Sequence, residues 1–254
     1  MTVTVSVVVP VKHNVHPDLL PSLYHQEGIS WEYIPIRGEM PIGEARQRGV
    51  DRANGKYIAF VDADCVLSHQ RWLELMVNRI TGNIAMTWAP GRIPPMCSWA
   101  NRYALQTHPL SEPPAIISRE NYVPVGTGHC VIRRDVINEI GGFQRLDAAE
   151  DIDLTRRIVD AGYLLQFVPI GVYHYHVSSL HEYYRKYYRN IKAGRNNTMW
   201  KAEYLEKRPP LVDMFFSSPR FAVSRAIEER DPRWMLHPLI TGLKIPVAMA
   251  AMIA

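Results

Sequence analysis

Two aspartates separated by one small residue end an apolar run, YIAFVDAD, over residues 57–64. The apolar residues are typical of a buried strand, which would deliver Asp62 and Asp64 to its carboxyl end. Carboxylate oxygens bind Mg²⁺ and Mn²⁺, and in enzymes these ions often share their coordination with substrate phosphates. Ligands of open α/β sheets bind at that edge. Many exposed pairs of acids bind nothing, so the other motifs of the chain decide between a metal site and a solvated loop.

A second acidic pair, Glu150 and Asp151, begins the segment EDIDLTRRIVDA, for which the apolar spacing predicts a helix over 150–161. Carboxylates in the first turn of a helix interact favourably with its dipole, and that alone could account for them. The preceding Gly141-Gly142-Phe143 is typical of a turn, because glycine supplies backbone freedom. The same interpretation is open for the glycines at 126 and 128.

Histidines and a basic run follow in the last third of the chain. A histidine is more often a satisfied surface or core residue than a ligand, and the pattern VYHYH favours His174 over His176 as a functional group. Residues 185–208 hold eight lysines and arginines against two glutamates. Such a run is usually a solvated helix face, but it also suits anionic phosphates or an anionic membrane surface.

The elements that must position these residues alternate between strands and helices. Strands are predicted over 3–11, 31–36, 57–61, 84–89 and 164–172, and a strand followed by a helix over 131–140. Helices are predicted over 19–25, 43–54, 71–80, 98–106, 150–161 and 180–204. This order predicts an α/β fold with a mostly parallel sheet and crossover helices. A proline-rich stretch over 90–124 predicts a long irregular excursion of the kind that forms lids or acceptor-binding loops.

The composition is that of an ordinary globular protein, with 254 residues, 47% of them apolar, and a net charge of +4 that does not suggest a nucleic-acid partner. Three widely spaced cysteines without metal-type spacing predict free thiols in a reducing compartment. The chain passes from Met1 directly into a strand-like run, so we expect no signal peptide.

The apolar segment 239–254, LITGLKIPVAMAAMIA, has one charged residue and is shorter than the ~20 residues that span a bilayer. It is a buried core helix, an interfacial helix or the beginning of a membrane segment. Arg233, Trp234 and His237 before it would suit an anchor at a membrane interface. We therefore expect a globular domain over 1–208 and an amphipathic, membrane-proximal segment over 209–254.

Several segments together resemble the inverting family 2 glycosyltransferases of the GT-A fold, which use nucleotide-sugar donors. The resemblance covers residues 3–195 and depends on the order and spacing of the motifs. It implies a Rossmann-like, mostly parallel sheet flanked by helices, and a catalytic domain over 1–208. The matching segments are VSVVVPVKHN at 5–14, GEARQRGVDRANGKYIAFVDADC at 43–65, GTGHCVIRRDVINEIGGF at 126–143, EDIDLTRRIVDAGY at 150–163 and VYHYHVSSLHEYYRKYYRN at 172–190.

The resemblance implies that Asp64 binds Mn²⁺ or Mg²⁺ directly, with Asp62 near the ribose or a metal-bound water. The ion would stabilise the charge that grows on the departing nucleoside diphosphate. His174 would reach the metal or the diphosphate, which Arg189 would help to neutralise. Asp151, with Glu150 beside it, would take the proton from the attacking hydroxyl as the general base.

The resemblance also implies a donor pocket and an acceptor cleft. The donor pocket would be formed by Pro10, Lys12, Asn14, Glu39, Arg46, Asp62, Ala63, Asp64 and Gly128, and the acceptor cleft by Gly141, Gly142 and Phe143. The second strand of the family normally ends in an acidic pair that holds the base, whereas this chain has IPIRGE over 34–39. Glu39 is the candidate substitute, and the identity of the base stays open.

Processive, cellulose-synthase-like members of the family carry Gln-x-x-Arg-Trp where this chain has Lys186-x-x-Arg189-Asn190. The arginine is retained, but the missing glutamine and tryptophan put processive synthesis in doubt.

We therefore predict a metal-dependent inverting glycosyltransferase at the cytoplasmic face of a membrane, acting on a glycan or lipid-linked acceptor. GDP-mannose is the first candidate donor and UDP-glucose or another UDP-hexose the second. A nucleotidyltransferase is an alternative, against which the loop PVKHN after the first strand argues, since a Gly-rich loop would be expected there. The other alternative is a catalytically inactive, membrane-associated binding protein.

Overall fold

The computed structural model describes residues 3–38, 40–107, 114–195 and 211–254, with side chains from 218 onward in the last range. The chain forms two compact units, Met1–Ser179 and Leu180–Ala254. The basic helix thus groups with the C-terminal unit. The predicted boundary at 208/209 lies in a stretch outside the described residues and stays a prediction.

Ten strands form two sheets in the N-terminal unit, within the described residues. They are β1 (Val5–Val11), β2 (Trp31–Arg37), β3 (Tyr57–Val61), β4 (Cys65–Leu67), β5 (Ile84–Trp88), β6 (Gly91–Arg92), β7 (Ile116–Ile117), β8 (His129–Arg133), β9 (Leu164–Phe167) and β10 (Val172–His174). The large sheet has the order β2-β1-β3-β8-β5-β9-β7. Strand β8 runs antiparallel to both of its neighbours and β7 antiparallel to β9, while the remaining pairs are parallel. Five strands therefore share one direction, which confirms the mostly parallel sheet.

Except for the helix Leu211–Glu228, where only an amphipathic segment was predicted, the helices lie at or within a few residues of the predicted positions. They are α1 (Leu19–Tyr24), α2 (Ile42–Arg52), α3 (Trp72–Val77), α4 (Trp99–Gln106), α5 (Arg134–Glu139), α6 (Glu150–Asp160), α7 (Leu180–Gly194), α8 (Leu211–Glu228) and α9 (His237–Ile253), with a 3₁₀ turn over Pro232–Leu236 before α9. The part of the predicted helix beyond residue 195 lies outside the described residues.

Helices cover both faces of the large sheet. Successive residues of a strand point to opposite faces, so each strand packs into a hydrophobic cluster on either side. In β3, Ile58 and Phe60 pack into one hydrophobic cluster with residues of α2 and α6. Ala59 and Val61 pack into a second cluster with residues of α1 and α3. A strand that is buried on both faces is apolar along its whole length, which explains the unbroken run YIAFV. The predicted α/β fold with flanking helices is confirmed.

The prediction of one strand over 164–172 is wrong in one respect. The segment contains the strand β9 and the first residue of a second strand, β10, and these two strands belong to different sheets. Strand β9 belongs to the large sheet, and β10 lies between β4 and β6 in a small three-stranded sheet. Pro169 separates them, and proline cannot donate a hydrogen bond to a neighbouring strand. The break redirects the chain, so that β10 runs antiparallel to β4. Strand β4 is the one that directly follows the Asp62–Asp64 motif.

The C-terminal unit contains the apolar stretch Pro232–Ile253, which has the length and composition to cross a membrane, with 22% of its apolar window buried. Leu239, Met249 and Ile253 are exposed. Lys244 is buried instead, with its ammonium 5.3 Å from the ring centre of Tyr183 on α7, in a cation–π arrangement. Within the described residues, the segment predicted as either a core helix or a membrane-proximal one is thus a largely unburied helix.

The packing of α2 on β1 gives a test of the fold. A Cβ atom at Gly49 would lie 2.2 Å from Cγ1 of Val8. We expect Gly49→Ala to lower the free energy of unfolding by about 1–3 kcal/mol in denaturant titrations, because the contact overpacks the core. At a solvent-exposed helix position, replacing glycine by alanine would instead stabilise the protein by about 0.8–1 kcal/mol. The control is Arg52→Ala on the exposed end of α2, and equal stability of the two variants would contradict this packing.

Candidate active site

The Asp62–Asp64 motif is fixed against the beginning of β8. The backbone N–H of Asp62 donates to the carbonyl of Gly128 at 2.8 Å, and the N–H of Cys65 donates to the carbonyl of Asp62 at 3.0 Å. The side chains of Asp62 and Asp64 remain 34% and 36% exposed. Both carboxylates therefore reach solvent at the carboxyl end of β3, at the sheet edge where α/β proteins bind ligands.

Gly128 allows the Asp62 carboxylate to lie against the backbone. A Cβ atom at this position would come within 2.2 Å of Asp62 Oδ2. At Gly126 the same atom would be 3.7 Å from Asp151 Oδ2, an ordinary contact. A side chain at position 128 would therefore clash with Asp62, which is a reason for glycine there besides the turn. The segment that contains both glycines brings the first acidic motif and Asp151 to the same cleft.

Arg46 of α2 joins the two acidic motifs. Its guanidinium is buried, with the residue 4% exposed, and Nη2 donates to Asp62 Oδ1 at 3.0 Å. Nη1 donates to Oε1 of Glu150, which is 5% exposed. A buried charge is stable when it is paired, and here one arginine pairs with a carboxylate from each motif.

These contacts refine two of the expectations from the sequence. Arg46 lies between two acids, on the face of α2 that buries Gly43, Ala45, Gly49 and Val50, and its expected place beside the nucleotide stays a prediction. That helical spacing was the signal that Arg46 points inward. The contact with Arg46 suits Glu150 as a positioning residue, and its catalytic role stays a prediction.

Asp151 is the second residue of α6, which follows a strained backbone position. Ala149 has a φ of 63°, a left-handed conformation that is uncommon for a residue with a side chain. Oδ1 of Asp151 accepts a hydrogen bond from the N–H of Ile152 at 2.8 Å. Burial raises the pKa of Asp151 above its ordinary value, and the positive charge of Arg46 opposes the shift. A carboxylate with a raised pKa is a stronger proton acceptor, as a general base requires.

His174 lies beside Asp64 because β10 pairs with β4. Nε2 of His174 is 3.3 Å from Asp64 Oδ1, and the histidine side chain is 17% exposed. Within the described residues, one group of three metal-type donors has all of its ligand atoms within 4.8 Å of one another, namely Asp64, Cys65 and His174. Oxygen and nitrogen donors of this kind suit a divalent transition metal. Asp62 is outside this group, and its Oδ1 accepts a hydrogen bond from Arg46.

His129 is a site residue that the sequence reasoning missed. Its ring centre lies 6.1 Å from that of His174, and its Nδ1 is buried without a hydrogen-bond partner in the part of the chain described. Burial lowers the pKa of His129 to about 4, with a further contribution from His174, so the ring is neutral near pH 7. The available signal was that His129 directly follows Gly128. In the structure, the pairing of β8 with β3 places His129 opposite Val61, at the end of β3.

The loop after β1 contacts the same edge of the sheet. The N–H of His16 donates to the carbonyl of Ala63 at 2.8 Å, and the His16 ring stacks on Tyr175 with centres 3.9 Å apart. Of the predicted donor-binding residues, Pro10 lies within β1, and Lys12 and Asn14 are exposed just beyond it. Glu39 lies outside the described residues. The role of these residues in donor binding stays a prediction.

The predicted acceptor residues take part in a turn and in the core. Gly141 and Gly142 have φ values of 81° and 70°, as a turn after α5 requires. Phe143 is buried, and its ring packs edge-on against Phe60 with centres 5.1 Å apart. Arg189 is exposed on α7 in the other unit. The acceptor role of the first three residues and the diphosphate role of Arg189 stay predictions.

Comparisons with known proteins find similarity to glycosyltransferases. Residues 19–141 match the family described as glycosyl transferase family 2. The chain is 33% identical to glycosyltransferase AglE of Haloferax volcanii over 132 residues, which are 48% of this chain and 40% of that protein. It is 30% identical to the pre-mycofactocin glycosyltransferase of Mycobacterium tuberculosis over 178 residues, which are 66% of this chain and 36% of that protein. The chain thus spans about two fifths of the length of these curated relatives.

A solved structure with a similar fold is the mannosyltransferase PcManGT from Pyrobaculum calidifontis, in complex with GDP-Man and Mn²⁺. The TM-score is 0.59 at 14% sequence identity, over 97% of this chain and 73% of that chain. This likeness is one of fold, and it confirms the predicted GT-A architecture.

The ion pairs of Arg46 give a second test. We expect Arg46→Met to lower the free energy of unfolding by about 3–5 kcal/mol, because it leaves the Glu150 carboxylate buried without a counter-charge. Adding Glu150→Gln to this variant should recover part of the loss, since the uncompensated charge is then removed. The measurement is chemical denaturation of the single and double variants.

Arg48→Met is the matched control on the same helix, because Arg48 forms an exposed pair with Glu44 at 2.6 Å. We expect that control to cost no more than about 1 kcal/mol. Equal losses for Arg46→Met and Arg48→Met would contradict the structural role of Arg46.

Proposed function

We propose that this chain, whose residues 19–141 match glycosyl transferase family 2, is a member of that family and transfers a sugar from a nucleotide-diphosphate donor to a hydroxyl of a glycan acceptor. The observation that carries the proposal is the double ion pair of Arg46, which joins Asp62 to Glu150. This pair brings the metal-type motif and the candidate base Asp151 to one cleft. An inverting transfer needs both a stabilised leaving group and a base on the opposite side of the sugar.

The leaving-group side of the cleft is formed by Asp64 and His174, which would hold Mn²⁺ or Mg²⁺. When bound, the ion supplies a Lewis acid for the negative charge of the departing diphosphate. The 3.3 Å separation of Asp64 Oδ1 and His174 Nε2 suits two ligands of one ion. Asp62 stays bound to Arg46 through one oxygen and directs its other oxygen toward Gly128, so it is suited to orienting a donor hydroxyl.

Asp151 is the proposed base. Its raised pKa results from burial, while the N–H of Ile152 holds one oxygen in place and leaves the other able to accept a proton. The carboxylate would take the proton from the acceptor hydroxyl as that oxygen attacks the anomeric carbon. Attack opposite the leaving group inverts the configuration at that carbon, so an α-linked donor yields a β-linked product.

We propose GDP-mannose as the first candidate donor, with a UDP-hexose as the second. Support for GDP-mannose comes from the bound donor of the Pyrobaculum enzyme that shares the fold. We also propose a lipid-linked acceptor at the cytoplasmic face of a membrane. The apolar stretch Pro232–Ile253, most of which is not buried, supports the membrane association that this proposal requires. An exposed apolar helix of this kind lowers its free energy by inserting into a lipid interface.

The proposed base is tested by Asp151→Asn, which preserves shape and removes the proton acceptor. We expect the transfer rate to fall by roughly 10²–10⁴-fold with donor binding retained, because a general base contributes about that factor. Transfer is measured by release of the nucleoside diphosphate and binding by calorimetry. Asp160→Asn, at the exposed end of the same helix, is the matched control. Full activity of Asp151→Asn would overturn this assignment, and release of pyrophosphate by the wild type would favour a nucleotidyltransferase.

The raised pKa of Asp151 gives a pH dependence with a defined sign. The base acts in its deprotonated form, so activity is present above the pKa and lost as pH falls through it. Because burial raises this pKa above 3.8, we expect the acid limb of kcat/KM at a higher pH than an ordinary aspartate would give. The residual rate of Asp151→Asn should lack this limb. An identical acid limb in that variant would assign the titration to another group.

A further inference from the structure

We propose that the Cys65 thiol is a third ligand of the divalent ion held by Asp64 and His174, and that it gives the site a preference for thiophilic ions such as Zn²⁺ and Co²⁺ over Mg²⁺. The inference rests on the metal site of the proposed function and deepens it. It concerns a residue for which the sequence motif of two acids assigns no role.

The register of the small sheet places Cys65 next to His174. Strand β10 pairs antiparallel with β4, and His174 is directly opposite Cys65. Residues that are directly opposite in an antiparallel pair have their side chains on the same face, with Cβ atoms about 4.5–5.5 Å apart. The pairing therefore delivers an imidazole and a thiol to the same side of the sheet, beside the Asp64 carboxylate.

The distances fit coordination of one ion. Sγ of Cys65 is 4.0 Å from Asp64 Oδ1, and the same oxygen is 3.3 Å from His174 Nε2. All three ligand atoms lie within 4.8 Å of one another. In a tetrahedral site, metal–ligand bonds of about 2.0–2.3 Å place two ligand atoms roughly 3.3–3.8 Å apart. Side-chain movements of about 1 Å or less would therefore bring all three atoms to one ion.

The surroundings of Cys65 determine how the thiol can act. The residue is fully buried, whereas Asp64 and His174 are partly exposed. An ion would therefore enter from the side of the carboxylate and the imidazole and meet the sulfur at the inner end of the site. Sulfur binds the ion as the thiolate, so its proton leaves to solvent on binding. Thiolate ligands favour borderline and soft ions, while Mg²⁺ prefers oxygen alone.

Cobalt provides a direct probe, because a thiolate bound to Co²⁺ gives a near-ultraviolet charge-transfer band that oxygen and nitrogen ligands do not. The experiment titrates the full chain with Co²⁺ alone and records both binding, by calorimetry, and absorption. We expect saturable binding with the charge-transfer band, followed by loss of the band when Zn²⁺ displaces Co²⁺. Cys65→Ser should abolish the band and weaken Zn²⁺ binding at least about tenfold, with Mg²⁺ binding changed less than about twofold.

The chain has two further cysteines, which serve as matched controls. The double variant Cys97→Ser/Cys130→Ser keeps Cys65 as its sole thiol and should retain the band, so the test does not depend on how Cys65→Ser folds. Saturable Co²⁺ binding without the band in this variant would overturn the thiol ligand and leave the metal site of the proposed function intact. Absence of any Co²⁺, Mn²⁺ or Mg²⁺ binding would overturn both.

Discussion

The buried guanidinium of Arg46 connects two acidic segments that are far apart in the sequence, since Asp62 is 16 residues and Glu150 104 residues away from it. A buried arginine and a buried glutamate are each costly in isolation, so each makes the burial of the other tolerable. The pair fixes the beginning of α6 relative to the end of β3. Asp151, the next residue of that helix, therefore has its place in the cleft determined by a contact that it does not itself make.

The break between β9 and β10 is the second constraint on the site. An uninterrupted strand would have continued along the large sheet, and His174 would have followed it away from Asp64. Because the chain turns at Pro169, β10 pairs with β4 and brings His174 opposite Cys65. The acids of the site are thus organised by the large sheet and its helices, and the imidazole by the small sheet.

Much of the fold was predictable from local patterns, and the composition of the site only in part. The strand over 57–61 and the helix beginning at Glu150 match the structure because apolar spacing alone defines them. The resemblance to the family predicted Asp64 as a metal ligand and His174 as a residue that reaches the metal or the diphosphate. The roles of Arg46, His129 and Cys65 depend on strand register and on burial against distant segments. Helical spacing indicates that Arg46 points inward, and the position of His129 after Gly128 is a weak signal for that residue. The partners of all three residues come from non-local pairings, which local reasoning could not reveal.

The central claim is that the cleft at the carboxyl end of β3 binds a nucleoside diphosphate through a divalent ion. The most direct measurement is calorimetric titration of the full chain with GDP and with UDP, each in Mn²⁺ and again in excess chelator. The account predicts saturable binding of at least one of the two nucleotides, tighter for one base, that is lost when Mn²⁺ is removed and strongly weakened by Asp64→Ala. Folded protein that binds neither nucleotide with Mn²⁺, or binds one equally well in chelator, would contradict it.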